Sequence, residues 1–519
     1  MKRSLTLAVM VALLLTVPLF GQTETTTGSI NGAITDNTAA ALPGVTVTAV
    51  NADTGLTRTT VTENDGTYRI PLLPPGRYRV SAELSGLGNA AKSGVTVLLG
   101  TSTQVDLSIQ PQLAETITVT AESPVVDVTE TASAEAVTQN EIDNLPILGR
   151  DFKDLVLLTP GVATAFGGRV SLVGARGTAV DYNIDGANAN SDFFAEERGG
   201  TSAPYVFSQA AIREFRVIRN TYSAEYARGG GGTMNAITKS GTNELTGELF
   251  YYHRDEEWSE EREVDGIDEF FEPRNADQYG FAAGGPIMRD KLFYFVNGDF
   301  QKISEPFNSF DFRTSSQFQG LPSDVQSAVV SRIEQLTGRP LAEEFSYDTR
   351  EDQQPWLGKI DWNSGNNHHL NVRWNYSDFN NFPSESSGTL SAQGDEYNTV
   401  NSYVGQLDSV ITSSLYNFAL VQYSIEERPI NALTSGVPFT QIGGLQSGNL
   451  QIGQRDFLPN GTDEEKWEIK DTLTWNFGNN HTFKGGFNYL TVDITNLFAR
   501  NLAGNFTFPT PAAFLAGTP

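Results

Sequence analysis

Apolar and polar residues alternate with a period of two through much of the second half of the chain. Leu370, Val372, Trp374 and Tyr376 interleave with His369, Asn371, Arg373 and Asn375. Trp467, Ile469, Leu473, Trp475 and Phe477 interleave with Lys466, Glu468, Lys470, Thr472, Thr474 and Asn476, and Asp471 is the one breach. Successive side chains of a strand face opposite sides of its sheet, so each segment reads as a strand with one apolar and one polar face. Runs of about ten such residues, apolar outward and polar inward, are the pattern of a transmembrane β-barrel. A water-soluble sandwich alternates in the same way, and two features favour the barrel. Aromatic residues gather near strand ends, as a belt at the lipid–water boundary requires. Turns are short on one side, as at Ser364-Gly365-Asn366-Asn367 and Gly478-Asn479-Asn480, while the opposite connections are long and polar, including one from about Lys302 to Gln354. Within that connection Ser323-Asp324-Val325-Gln326 predicts a capping box opening a helix that ends near Gly338.

The first half is patterned differently. Lys2 and Arg3 precede an apolar run from Leu5 to Leu15, then Pro18 and Gly21, which reads as a signal peptide over 1–21 and an exported mature chain. No other window approaches a transmembrane helix. From about 24 to 110, short strands such as Val45, Val47 and Ala49 alternating with Thr46 and Thr48 are broken by turns at Asp53-Thr54-Gly55, Asn64-Asp65-Gly66 and Pro74-Pro75-Gly76. That predicts a small β-sandwich. The β-prone segment Glu115, Thr116, Ile117, Thr118, Val119, Thr120 and Ala121 follows. It is either the last strand of the sandwich or a peptide that a partner captures by strand addition. Residues 122–241 read as an α+β unit, with a strand from Asp181 ending in the turn Asp185-Gly186 and an alternating strand over Ile212–Ile218. Gly229–Gly232 lacks the Lys-Ser/Thr placement of a phosphate loop and the spacing of a dinucleotide site, so it is assigned to close packing against a barrel wall. Arg176, Arg213, Glu214, Arg216 and Arg228 suit a globule seated in a wet lumen.

Charge and composition narrow the chemistry. With 62 acidic against 35 basic side chains the formal charge is −27, which repels polyanions and speaks against nucleic-acid binding. There is no cysteine, so thiol catalysis and thiolate metal sites are excluded. His253 and Glu256 have the spacing of a zinc ligand pair, but on a strand residues three apart face opposite sides, and no third ligand is placed with them. The acidic stretch Asp255–Glu272 lacks EF-hand spacing and reads as a solvated loop. We therefore expect no catalytic residue, no cofactor and no metal centre.

Several segments resemble known families. Leu42-Pro43-Gly44-Val45, Asp65-Gly66-Thr67-Tyr68 and Leu73-Pro74-Pro75-Gly76-Arg77-Tyr78 resemble the carboxypeptidase regulatory-like domain, a non-catalytic accessory sandwich that reads here as a spacer or docking module. Glu115–Ala121 resembles the TonB box. Asn144-Leu145-Pro146, Arg150-Asp151-Phe152, Leu158-Thr159-Pro160-Gly161-Val162, Asp181–Gly186 and Gly229–Gly241 resemble the plug of TonB-dependent receptors. Ala283-Gly284-Gly285-Pro286-Ile287, Asp290–Phe295 and Asn480–Gly486 resemble the Oar-like branch of TonB-dependent transporter barrels. The resemblance implies a mainly β chain: an N-terminal β-sandwich, an α+β plug over 122–241 and the first part of a large antiparallel transmembrane β-barrel over 242–519. It implies an importer in the outer membrane, whose partners are TonB with its inner-membrane energising complex, an imported ligand and the lipid bilayer. An outer-membrane adhesion protein, with the barrel as anchor and the sandwich as binding module, is the alternative. No motif names the ligand. We count about ten candidate strands where plugged barrels have about 22, and no terminal strand precedes Pro519, so a truncated sequence is expected.

Overall fold

The computed structural model describes residues 26–109, 133–145, 150–165, 168–200, 203, 205–220, 225–226, 230–255, 262–264, 267–269, 275–308, 318, 320–383, 389–445, 448–477 and 481–519. Residues 1–21, expected to be a signal peptide, and the segment Glu115–Ala121 lie outside them.

The alternating half forms a single antiparallel sheet of nine strands in sequence order. They are β1 (Thr246–Arg254), β2 (Asn275–Met288), β3 (Leu292–Asn308), β4 (Ser346–Ser364), β5 (His368–Phe382), β6 (Gly394–Thr412), β7 (Leu415–Ala432), β8 (Asn460–Phe477) and β9 (His481–Phe498). Burial decides which way this sheet faces. On β5, Arg373 and Asn375 are 2% and 1% exposed, whereas Val372 and Trp374 are 49% and 37% exposed. On β8, Lys466 and Glu468 are buried while Trp467, Ile469 and Trp475 are exposed. A water-soluble sandwich would bury the opposite set. This inside-out arrangement is stable only where the outer medium is apolar.

Aromatic rings mark the edges of that medium. Trp374 lies beside Tyr403, Tyr403 beside Tyr423, and Tyr423 beside Trp467, with 4.7 Å between the last two ring centroids. A second row, nearer the short turns, includes Trp475 beside Phe483. Trp467 and Trp475 are eight residues apart on β8. That is about 26 Å along the strand, and a tilt of about 40° leaves roughly 20 Å of height, close to the ~25 Å apolar band of outer-membrane barrels. Asp471 still breaches the outward face between the two rows, and Asn417 on β7 donates to its carboxylate at 3.0 Å.

The long connection is shorter than the pattern suggested, because β3 and β4 keep pairing as far as Asn308 and Ser346. Those extensions rise beyond the aromatic rows into water, where both faces see solvent and strict alternation no longer reports the strand. At the long-connection end, helix α1 (Ser323–Thr337), helix Leu341–Phe345, the strands Phe439–Leu445, Gly448–Ile452 and Asn505–Phe508, and helix Pro511–Ala516 share one apolar core built on Phe318, Val329, Ile333, Ile442, Leu450 and Phe514. Helix α1 ends at Gly338 as expected, with φ +71. Its N-cap is Pro322 rather than Ser323, and the Pro322 carbonyl accepts the Gln326 N–H at 2.9 Å, so the expected capping box does not form.

The N-terminal unit is a sandwich of two sheets, one carrying Gly28–Asp36 and the other Thr46–Asn51 and Gly76–Leu84. Ile30, Ile34, Val47, Ala49, Tyr78 and Val80 lie in its core. The plug unit is a mixed five-stranded sheet ordered Ala187–Asn188, Asp181–Ile184, Thr233–Thr238, Ile212–Asn220, Ser133–Val137. Its first hairpin turns on Asp185 and Gly186, with φ +49 and +76, as Asp-Gly demands in a two-residue loop. Within the glycine run, Gly231 and Gly232 pack against the plug itself. A Cβ on Gly231 would strike Ala175 and Ala179, and one on Gly232 would strike Leu172 and the Ile218 carbonyl, so these two residues serve packing within the plug.

Because Val372 faces outward between the aromatic rows, Val372→Lys should destabilise the bilayer-inserted protein by up to about 2–4 kcal/mol. The lowered urea midpoint of vesicle-inserted protein would show it, and an unchanged midpoint would place that face in water.

Candidate functional site

The polar face of the wall is covered by the plug, and the contact is densest along β8. Period-two spacing puts Glu464, Lys466, Glu468 and Lys470 in one inward row of alternating sign. Each meets the plug segment from Gly186 to Phe193. Glu464 accepts from the Ser191 hydroxyl and from the backbone N–H groups of Asp192 (2.8 Å) and Phe193 (3.0 Å). Lys466 pairs with Asp192 and donates to the Asn188 side-chain oxygen at 3.1 Å and to the Asn190 carbonyl. Glu468 accepts the Asn188 N–H at 2.8 Å, and Lys470 donates to the Gly186 carbonyl at 3.0 Å.

A second anchor is Asp185, at the hairpin turn. Its carboxylate accepts from Arg373 on β5 at 2.7 Å, from the Thr238 N–H at 2.9 Å and from the Thr238 hydroxyl at 2.7 Å, and Lys359 on β4 stands 3.8 Å away. All four residues are buried. Burial alone would push the Asp185 carboxyl up, but the Lys359 and Arg373 charges and the Thr238 bonds hold it below the usual carboxylate range.

Nearer the long connections, a charged cluster ties the plug to β7. Arg428 pairs with Glu196 at 3.2 Å, and Glu196 also takes Arg169 at 2.6 Å. Lys153, in the first turn of the helix Phe152–Val156, bridges Glu197 at 3.0 Å and Asp151 at 3.2 Å. Glu426 accepts the Gly199 N–H at 2.9 Å. The Arg428 guanidinium also lies 4.1 Å over the Phe194 ring. On the other flank, Asp299 of β3 takes the Ser208 hydroxyl at 2.6 Å and the Tyr205 hydroxyl at 3.2 Å.

The wall half of this interface was visible in the sequence, since Arg373, Lys466, Glu468 and Lys470 fall on the expected polar faces. The plug half was not. Glu214 and Arg216 bond to the sandwich rather than to the wall, Arg176 is exposed, and Arg228 lies outside the described residues. The plug charges that reach the wall include Asp185, Asp192 and Glu196, together with Glu225, which pairs with Lys484 on β9 at 2.7 Å, and Arg150, which donates to the Tyr252 hydroxyl on β1 at 2.8 Å. Of the zinc-like pair, His253 sits on β1 with Asp277 of β2 at 2.9 Å, and Glu256 lies outside the described residues. Among the described residues no group of three or more His, Asp or Glu is placed to hold a metal ion.

Residues 237–519 match the family described as Outer membrane beta barrel domain. Residues 127–234 match the TonB-dependent Receptor Plug Domain, and 29–110 match the Carboxypeptidase regulatory-like domain. The chain is 29% identical over 294 residues to the TonB-dependent transporter Oar of Myxococcus xanthus, covering 53% of this chain and 26% of Oar. It is 28% identical over 208 residues to the probable TonB-dependent siderophore receptor PirA of Acinetobacter baumannii, covering 37% of this chain and 26% of PirA. The matches thus span about a quarter of the length of these curated relatives. The outer membrane transporter YddB from Escherichia coli shares the fold at a TM-score of 0.51 and 12% identity, over 70% of this chain and 48% of YddB.

Asp185→Asn leaves Arg373 and Lys359 buried against a neutral group, so the plug seat should weaken by about 3–5 kcal/mol. The Asp185 pKa is depressed in the folded protein, so its contribution is present above the ordinary value near 4 and is lost as pH falls through the depressed one. Protease resistance of the plug should drop at acid pH in the parent. In Asp185→Asn it should be low throughout, without that acid step.

Proposed function

The chain belongs to the outer membrane beta barrel domain family, and from that premise we propose that it is an active importer, a plugged barrel opened by energy that TonB transmits from its inner-membrane complex. The observation that carries this reading is the seat of the plug. Breaking a buried charge pair costs about 3–5 kcal/mol; the seat contains one such pair, Asp185–Arg373, and two more with one partner buried and the other largely so, Asp192–Lys466 and Glu196–Arg428. Thermal motion therefore does not clear the lumen, and work has to be delivered to the plug.

The handle for that work is Glu115–Ala121, which the sequence places between sandwich and plug. A β-prone peptide can join the edge of a partner's sheet, with main-chain hydrogen bonds supplying the affinity. Backbone extension matters more for such a handle than particular side chains. The imported ligand enters from the long-connection side, over the plug hairpin that carries Phe193 and Phe194, and leaves on the side of the short turns.

Proline removes a ladder donor from an added strand. Ile117→Pro and Val119→Pro should each abolish binding of the purified periplasmic domain of TonB while leaving the melting midpoint of the protein unchanged. If these variants bind TonB as the parent does, the coupling assignment is wrong.

A further inference from the structure

The sandwich is bonded to the plug and to the wall together. From the plug strand Ile212–Asn220, buried Glu214 accepts the Leu99 N–H and buried Arg216 donates to the Gly100 carbonyl, both in the sandwich turn Leu98–Thr101. Toward the wall, buried Arg58 donates to the Asn366 carbonyl in the β4–β5 turn, and the Asn243 N–H donates to the Asp53 carbonyl at 2.8 Å. Asn243 is itself fixed to the β2–β3 turn, where its side chain and Asp290 exchange two bonds of 2.7 and 2.8 Å. The approach is close, since a Cβ on Gly55 would lie 2.3 Å from the Asp290 carboxylate. All of these wall contacts are with the short-turn end.

The dock and the exit of the chain lie at opposite ends of the sandwich. Strand Gly28–Asp36 pairs with Ser102 at Ser29, next to the docked turn, and with Ile109 at Asp36. Asp36 lies seven positions after Ser29, roughly 23 Å along a strand. A pull on the chain beyond Ile109 therefore runs the length of the sandwich before it reaches Leu99 and Gly100. From there it passes to Glu214 and Arg216 on the plug strand that pairs directly with Ser133–Val137.

We propose that the sandwich is a latch: docked across the seam between plug and wall at the short-turn end, it resists displacement of the plug and must release before the plug can leave. The pulling agent rests on the TonB reading above, while the dock itself does not. The latch gives the accessory sandwich a mechanical role. Plug motion then has a threshold set by Glu214, Arg216, Arg58 and the Asp53–Asn243 bond.

The chain has no cysteine, so one pair can be introduced cleanly. In Asp53→Cys/Asn243→Cys a disulfide would join the sandwich to the wall, and the same molecules can be compared oxidised and reduced. The wall would be fixed to a surface and the chain pulled through bound periplasmic domain of TonB in a single-molecule force experiment. Oxidation should raise the force at which the plug begins to extend, and reductant should restore it. Arg216→Met, with an unchanged melting midpoint, should lower that force. Equal plug-extension forces in oxidised and reduced molecules would overturn the latch. Failure of TonB to form a tether at all would instead count against the coupling segment.

Discussion

Glu464, Lys466, Glu468 and Lys470 can lie buried in one row only because a polar surface meets each of them. Lipid on the outside of the sheet forces apolar side chains outward, and the period of two then forces every intervening polar residue inward. A lumen lined this way is tolerable only if water or protein satisfies it. Here the plug does so, with backbone N–H groups for the glutamates and carbonyls or carboxylates for the lysines. The order of β8, the hairpin at Asp185 and Gly186 and the placement of Arg373 all follow from that matching requirement. So does the mechanical character of the molecule, since a seat made of buried charge pairs does not open by fluctuation alone.

The wall was legible in the sequence because its two environments differ sharply and a strand samples them in turn. Where β3 and β4 leave the lipid, both faces see water, the contrast disappears, and paired residues such as Ser304 and Arg350 looked like loop. The Asp-Gly turn and the stop of helix α1 at Gly338 were legible for a local reason, as each needs a backbone conformation that few residues adopt. The start of α1 was misplaced by one residue, since Ser-x-x-Gln has the form of a cap whether or not the preceding Pro322 carbonyl takes that role.

The plug's half of the interface was opaque for a different reason. Sequence shows that Glu214, Arg216 and Asp185 are polar, but the direction each faces depends on how the five-stranded sheet sits between sandwich and wall. Asp185 was read as a turn former, which it is, and its salt bridge to Arg373 depends on a residue 188 positions away. Arg216 and Glu214 suit a wet lumen by their charge alone, and their strand presents them to Leu99 and Gly100 of the sandwich. The alternating charges of β8 were the one usable signal that a polar body must lie opposite.

The shared core at the long-connection end has a consequence for how this surface can vary. Segments from two inter-strand connections and from the stretch after β9 place Phe318, Val329, Ile333, Ile442, Phe508 and Phe514 in one cluster. Glu344, fully buried, accepts the Ser391 N–H at 2.8 Å and so ties in a third connection, between β5 and β6. Ordinary surface loops drift independently, each accumulating insertions at its own pace. Loops that fill one another's core instead form a single cooperative unit. Drift in this part of the protein is therefore confined to the outer faces of its helices and hairpins, and a change of length in one connection calls for compensating changes in the others.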